Sequence, residues 1–459
     1  MALLVAAACG GVDQTGRDLC DEGLCAPGTL TWAARAQVDF GASTVEAVAN
    51  TTDEPPWFAG TFDYDVTLDT VTMPWDAVGT GDPFVARLGA LRLGNWAIDA
   101  PAAYPVRVFG IQPDPEDGVM LFVTGQQSDT RQRLEVVWFD RDRMTIARET
   151  LALLDAPGAL GGAAVVRDAR GWPVVAISGT RINLDGAIHD GVRAMVIRLG
   201  QGFERQVLVE LSGVELSDLD VEGELLVISG RYLGQPGNAI GEPFAGWPAC
   251  ADPDPCGFVA GFDAGIGELR WVQPIHAPGG AQVDRVAAGG GFVVAMASAA
   301  GAPTEPALGT GPLPAYLMTL EITGDAQPFL FDQTVLAEAG TEIGSRDLDV
   351  ASDGDAIIAL SYNGTALVGT QPLVGGAEPG NFESVVAELG TDLLWHWVAT
   401  FERSQALETV MVGAVAVDGD QVAVGGSYRG NIVLANGLGV PTPAVSSEFV
   451  NGFALELHR

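Results

Sequence analysis

Lysine is absent from this chain of 459 residues; all 23 basic side chains are arginine. Chemistry that depends on a lysine amine, such as Schiff-base formation or the phosphate-gripping lysine of a P-loop, is therefore excluded. Histidine is nearly as scarce. His189, His276, His396 and His458 stand at no metal-ligand spacing from one another, and neither His-Glu-x-x-His nor Gly-x-Ser-x-Gly occurs. No apolar run reaches the roughly 18 residues of a membrane-crossing helix. Basic charge is short too: 23 arginines against 59 acidic residues leave a net charge of −36, which phosphate backbones and anionic lipid surfaces repel. Nucleic acid is excluded as a partner, and no catalytic residue, metal site or cofactor is assigned. The missing lysines, beside abundant Ala, Gly and Val, read as the imprint of a GC-rich bacterial genome. A carboxylate-dense surface adapted to salt is the alternative.

Cysteine is sparing but patterned. Four of the five form two close pairs, Cys20/Cys25 and Cys250/Cys256, and Cys9 stands alone. The spacings are wrong for zinc knuckles. Two local disulfides, Cys20–Cys25 and Cys250–Cys256, fit better and require an oxidising compartment.

What the chain has in quantity is glycine (60) and proline (27), a composition of many tight turns. One pattern recurs: an apolar strand, a tight turn, then a second strand ending in Gly or a small residue. The second-strand copies centre on Gly60, Gly125, Gly179, Gly230, Ala297, Leu360 and Gly426, roughly sixty residues apart. Most copies add a third strand, as in Phe84-Val-Ala-Arg-Leu88 and Tyr316-Leu-Met-Thr-Leu320, and a fourth, as in Leu269-Arg-Trp271. One such four-stranded unit cannot bury both its faces alone. Seven of them predict an all-β, seven-bladed β-propeller of four-stranded blades. The last unit stops after its third strand, and an orphan fourth-strand motif, Leu30-Thr-Trp-Ala-Ala-Arg-Ala36, stands near the N-terminus. This strand is expected to pair beside 450–457, completing the last blade and closing the ring. The expected organisation is a leader and tether over 1–28 and a single propeller over 29–459.

Val415-Ala-Val-Asp-Gly-Asp420, Val422-Ala-Val-Gly-Gly-Ser-Tyr-Arg-Gly430 and Phe84-Val-Ala-Arg-Leu88 resemble the bacterial seven-bladed β-propeller repeat family. The resemblance spans about 29–459 and implies a propeller in an extracytoplasmic setting, with no catalytic residues. Met1-Ala-Leu-Leu-Val-Ala-Ala-Ala-Cys9 resembles the tail of a bacterial lipoprotein signal peptide. That likeness implies lipidation of Cys9 and a location at the cell envelope, anchored to the outer membrane by lipid alone or secreted. The segment Gly261–Trp271 is similar to the tryptophan-docking motif of quinoprotein dehydrogenases; here the indoles are expected to fill space between blades.

Function is expected on the connections between second and third strands, which are long at about 63–82, 233–256, 299–314, 363–382 and 429–448. Trp75, Phe244 and Trp247 sit there, and Tyr428 just beyond a strand end, at positions read as exposed, and they are the candidate binding residues; the alternative is that these rings only cap the small core of their own loop. The chain is thus read as a monomeric binding or scaffold module for a protein or glycan. A hydrolase or lyase built on Asp65, Asp82 and Asp190 at a central funnel is the alternative. His396, between Trp395 and Trp397, is expected to pack rather than to catalyse.

Overall fold

The computed structural model describes residues 27, 30–38, 42–51, 54–63, 65–68, 71–73, 81–87, 96–99, 106–113, 118–128, 131–140, 145–155, 162–250, 253–308, 310–322, 327–369, 372–376, 378–403, 409–430, 432–434 and 450–459. The fold is all-β: apart from one three-residue 3-10 turn at Gln201–Phe203, every regular element among the described residues is a strand. The chain divides into two compact units, residues 1–113 with 341–459, and residues 114–340. Each is built mostly from antiparallel meanders of strands consecutive in sequence.

In the first unit, Ser43–Thr51, Glu54–Phe62, Asp82–Arg87 and Trp96–Asp99 form one four-stranded meander, and Glu342–Val350, Ala356–Asn363, Glu383–Leu389 and Trp395–Arg403 a second. The third joins Thr409–Asp418, Gln421–Arg429 and Asn451–His458 to Leu30–Val38. The orphan motif lies where it was expected: Leu30 stands opposite Leu457, Ala33 opposite Leu455 and Ala36 opposite Gly452. The edge of Asn451–His458 is thereby paired by a strand more than 400 residues earlier.

In the second unit, hydrogen bonding runs without a break from Val119–Ser128 to Leu269–Ile275. Two shared strands cause this: Pro173–Leu184, whose Ile182 and Asn183 pair with Leu154 and Leu153 of the sheet before, and Arg205–Glu222. The first part of Arg205–Glu222 pairs with Ala187–Leu199, and from Val214 onward it pairs with Leu225–Gly237. The strand turns at Gly213, whose positive φ of 75° a side chain would resist. Ala281–Gly289, Phe292–Ala299, Leu313–Glu321 and Phe329–Val335 form a separate four-stranded meander.

The second strand of each meander reads as a continuous apolar run because both its faces are covered. Every residue of Ala356–Asn363 is buried, whereas Val106–Pro113 alternates. The cores lie between successive sheets. One packs residues of the 162–222 region against Leu226, Ile228, Phe258 and Phe262; another packs Trp397 and Phe401 against Val410, Tyr428 and Phe453. Trp271 fills such a joint as expected, among Val283, Val286 and Val293. Gly261 opposite it leaves the room, since an added Cβ would overlap the indole.

The recurring second-strand glycine has a local cause. Val45, Leu216 and Val412 each stand at a β-bulge, opposite Gly60, Gly230 and Gly426 respectively. The bulge thrusts a first-strand carbonyl at the glycine: a Cβ at these positions would strike the oxygens of Thr44, Glu215 and Met411.

Candidate functional site

First strands are sheet edges, and their outward N–H groups need partners. Carboxylates supply them. Asp218 and Asp220 accept the N–H groups of Val286 (3.0 Å) and Ala288 (2.6 Å), and Asp347 and Asp349 accept those of Val415 (2.8 Å) and Val417 (2.7 Å). Glu46 accepts that of Val108 at 2.8 Å. Each acceptor lies on one first strand and each donor on the next, so the acids stitch successive meanders together. Burial pushes Asp220 up to about 6, against the hydrogen bonds from Ala288 and Val221; burial also raises Glu46. These residues were not singled out from sequence. The signal was present in Asp218-Leu-Asp220 and Asp347-Leu-Asp349, whose spacing of two puts both acids on one side of a strand.

The second-to-third-strand connections make a matching set of contacts at the other edge. In five places such a connection hydrogen-bonds the outer strand of the meander before it. Val66–Leu68 pairs with 36–38, Ile432–Leu434 with 401–403, Ile182 and Asn183 with Leu154 and Leu153, Gly237 with Ser212, and Glu305 with His276. These segments are latches. These backbone pairings with the neighbouring sheet help the connections hold one conformation.

The connection after Tyr232 is the most developed. Cys250 N–H donates to Gly234 O and Phe244 N–H to Pro236 O, while Asn238 Oδ1 accepts from Ile240 and Glu242. Arg193 reaches over from the adjacent strand to the carbonyl of Ala239 at 3.1 Å. Beneath the backbone five rings pack edge to face: Trp247 lies 5.0 Å from Phe258, 6.0 Å from Tyr232 and 6.3 Å from Phe244, and Phe244 is 6.1 Å from Phe262. A disulfide joins Cys250 to Cys256 at the base. His276 Nδ1 lies 3.1 Å from Cys256 Sγ.

This arrangement corrects the reading of the candidate aromatics as exposed. Trp247 and Tyr428 are each only 3% exposed, and Phe244 is half-buried against the same core. An insertion this long has to bury apolar groups of its own to hold a shape, and Trp247 is its largest. Tyr428 lies inside Gln421–Arg429 and packs on Phe453 at 6.3 Å. The large hydrophobic residues that the connection shows to solvent are Leu233 (56% exposed) and Ile240 (77%). Trp75, Cys9, Cys20 and Cys25 lie outside the described residues. Of the alternative carboxylates, Asp82 is buried in its strand, Asp65 is exposed, and Asp190 is exposed beside Arg181, Nε to Oδ1 3.3 Å.

His396 belongs to a charged network in the first unit. Its Nδ1 is 3.2 Å from Glu388 Oε1 and 3.7 Å from Asp355 Oδ2, and its Nε2 is 3.3 Å from Asp392 Oδ1. Arg459 bridges the same carboxylates, 3.1 Å from Glu388 and 2.6 Å from Asp355, and 2.8 Å from Asp353. The Trp397 indole N–H donates to the other oxygen of Glu388. Burial works against the imidazolium, but the Glu388 hydrogen bond and the charges of Asp355, Glu388 and Asp392 raise His396 above its ordinary value. Asp355, Glu388 and His396 have the donor types of a cation site, yet the guanidinium already lies against both carboxylates. The network ties one meander to the next.

No family model matches the chain, and no curated protein does. Among solved structures it is similar to Sqt1 of Chaetomium thermophilum bound to the N-terminus of ribosomal protein L10 (12% identity, TM-score 0.41, 92% of this chain and 98% of that one). It is also similar to the WD40 domain of SCAP from fission yeast (10%, TM-score 0.39, 93% and 98%) and to an ulvan-degrading polysaccharide lyase (9%, TM-score 0.31, 86% and 84%). Likeness at this level carries neither a fold nor a function across.

Proposed function

We propose that the chain is a seven-bladed β-propeller closed by Leu30–Val38, and that it serves as a binding or scaffold module outside the cytoplasm, held at a bacterial cell envelope by lipid on Cys9. Its ligand, a protein or a glycan, meets the side bearing the latches. The observation that carries this reading is the connection 233–256: it is pinned by backbone hydrogen bonds, a disulfide and five packed rings, yet holds Leu233 and Ile240 out in water. A backbone already held in place loses little freedom on binding, so apolar side chains presented on it suit recognition. The succession of four-stranded meanders, with cores between consecutive sheets, supports the propeller. With a net charge of −36, the partner surface is neutral or basic, and salt weakens a basic partner's complex.

The test is capture from envelope extract with the folded chain, with a glycan array beside it, repeated with Leu233→Ser and Ile240→Ser. A ligand bound by the native chain, lost at least tenfold by the double variant at unchanged melting temperature, supports the reading. A ligand bound equally well by both places the site elsewhere.

A further inference from the structure

We propose that Cys250, Cys256 and His276 form a binding site for a soft metal ion of the zinc type, which opens when the Cys250–Cys256 disulfide is reduced. One donor atom from each residue lies within 4.8 Å of the other two, and His276 Nδ1 is already 3.1 Å from Cys256 Sγ. Two thiolates and an imidazole are the donors that zinc prefers over hard cations.

The three donors come from separate segments, each fixed by other contacts. Cys250 is held by its N–H to Gly234 O, and its Sγ lies 3.4 Å from the carbonyl of Asp254. Cys256 begins the strand Cys256–Asp263. His276 follows the outer strand Leu269–Ile275 and is clamped on both sides of its backbone: its N–H donates to Glu305 O, and its carbonyl accepts from the N–H and hydroxyl of Thr304. The latch from the next meander therefore sets the height of the imidazole over the sulfurs. Both cysteines are buried, which keeps competing solvent from the thiolates.

With metal–sulfur bonds of about 2.3 Å and a metal–nitrogen bond of about 2.0 Å, the Nδ1–Sγ edge must lengthen by roughly half an ångström and the two sulfurs must separate to roughly 3.8 Å. Once the sulfur–sulfur bond is gone, rotation about the Cα–Cβ bonds of the two cysteines can supply that separation. Three protein donors leave one tetrahedral position for water or an exogenous ligand.

The chemistry balances. A dithiol or phosphine reductant gives two electrons to the sulfur–sulfur bond, and each sulfur takes a proton. The metal ion then displaces both thiol protons and accepts the Nδ1 lone pair. Disulfide and metal exclude each other, so the site is read out by redox state.

The experiment uses the full chain with Cys9, Cys20 and Cys25 replaced by serine, so that only Cys250 and Cys256 can respond. Zinc(II) is titrated against a chromophoric chelator before and after reduction, and cobalt(II) is added in parallel to look for a thiolate-to-metal charge-transfer band. One ion per chain, bound after reduction only, with the cobalt band present and with affinity at least tenfold weaker in both His276→Ala and His276→Gln, is the expected result. Equal affinity with and without His276, or no more zinc than a Cys250→Ser/Cys256→Ser chain takes up, overturns it. So does a reduced chain whose strand circular dichroism is lost and is not restored by zinc.

Discussion

Asp220 Oδ2 accepts the backbone N–H of Ala288 at 2.6 Å, from a first strand to the next one 68 residues on. Its carboxyl is buried, and burial lifts it from 3.8 to about 6. A raised acid binds its proton more tightly in the folded chain than in the unfolded one. Its contribution to stability is therefore greatest below 3.8, falls as pH rises to about 6, and is flat above. The shift corresponds to about 3 kcal/mol. Asp220→Asn keeps an acceptor for Ala288 and removes the charge. Chemical denaturation of both chains at pH 3 and pH 7 should show the native protein losing about that much relative to the variant. A constant difference would place the titration elsewhere. Asp220→Ala, which strands the N–H groups as well, should cost about 1–3 kcal/mol at pH 4.

Trp247→Ala removes the largest ring from the core of its connection and should lower stability by about 3–5 kcal/mol. Thermal and denaturant unfolding measure it. An unchanged melting temperature would mean that the connection does not hold the shape described.

His396 acts in the same sense as Asp220, at higher pH. Its folded-state value is raised, so the stability that it contributes is complete below 6.5 and is lost as pH climbs through the higher folded value. An NMR titration should find the imidazole above 6.5, and Glu388→Gln should bring it down. A His396 that titrates normally in the native chain would show the network to be loose in solution.

Removal of residues 1–38 takes away the partner strand of Asn451–His458, the packing of Leu30 and Ala33, and the docking edge for Val66–Leu68. The truncated chain should melt far below the full one, with the loss spread over the whole first unit rather than confined to its last sheet. Identical melting curves would make the N-terminal strand dispensable.

Peptide mapping without reduction should recover Cys250 joined to Cys256 and Cys20 joined to Cys25, with Cys9 in neither. A Cys25–Cys250 link, or four free thiols, would refute that pairing.

The strand succession was legible because both of its signals are short-range. Apolar runs such as Ala356–Ser361 and turns such as Asp418-Gly419 announce themselves locally, and the Leu-x-Trp motif at Leu30 matched its counterparts at Leu269 and Leu393. The recurring glycine was visible, but its cause was not: the bulge opposite Gly60 is fifteen residues away at Val45. Exposure failed for the opposite reason. Loop length near Trp247 suggested solvent, whereas the ring's surroundings depend on Phe258 and Phe262, across a strand pair. His276 carried no mark at all, since its relation to Cys256 arises only when two neighbouring strands align.

Arg205–Glu222 serves two meanders with one continuous strand, which passes from one ladder to the other at Gly213. There is no joint between these sheets at which the chain could slacken. Tension applied across them would have to shear both hydrogen-bonded ladders at once, so they should rupture as a single mechanical element. An inserted residue at Gly213 would throw one ladder out of register, whereas one at the Asp185-Gly186 tip, where a Cβ on Gly186 meets open space, would disturb neither.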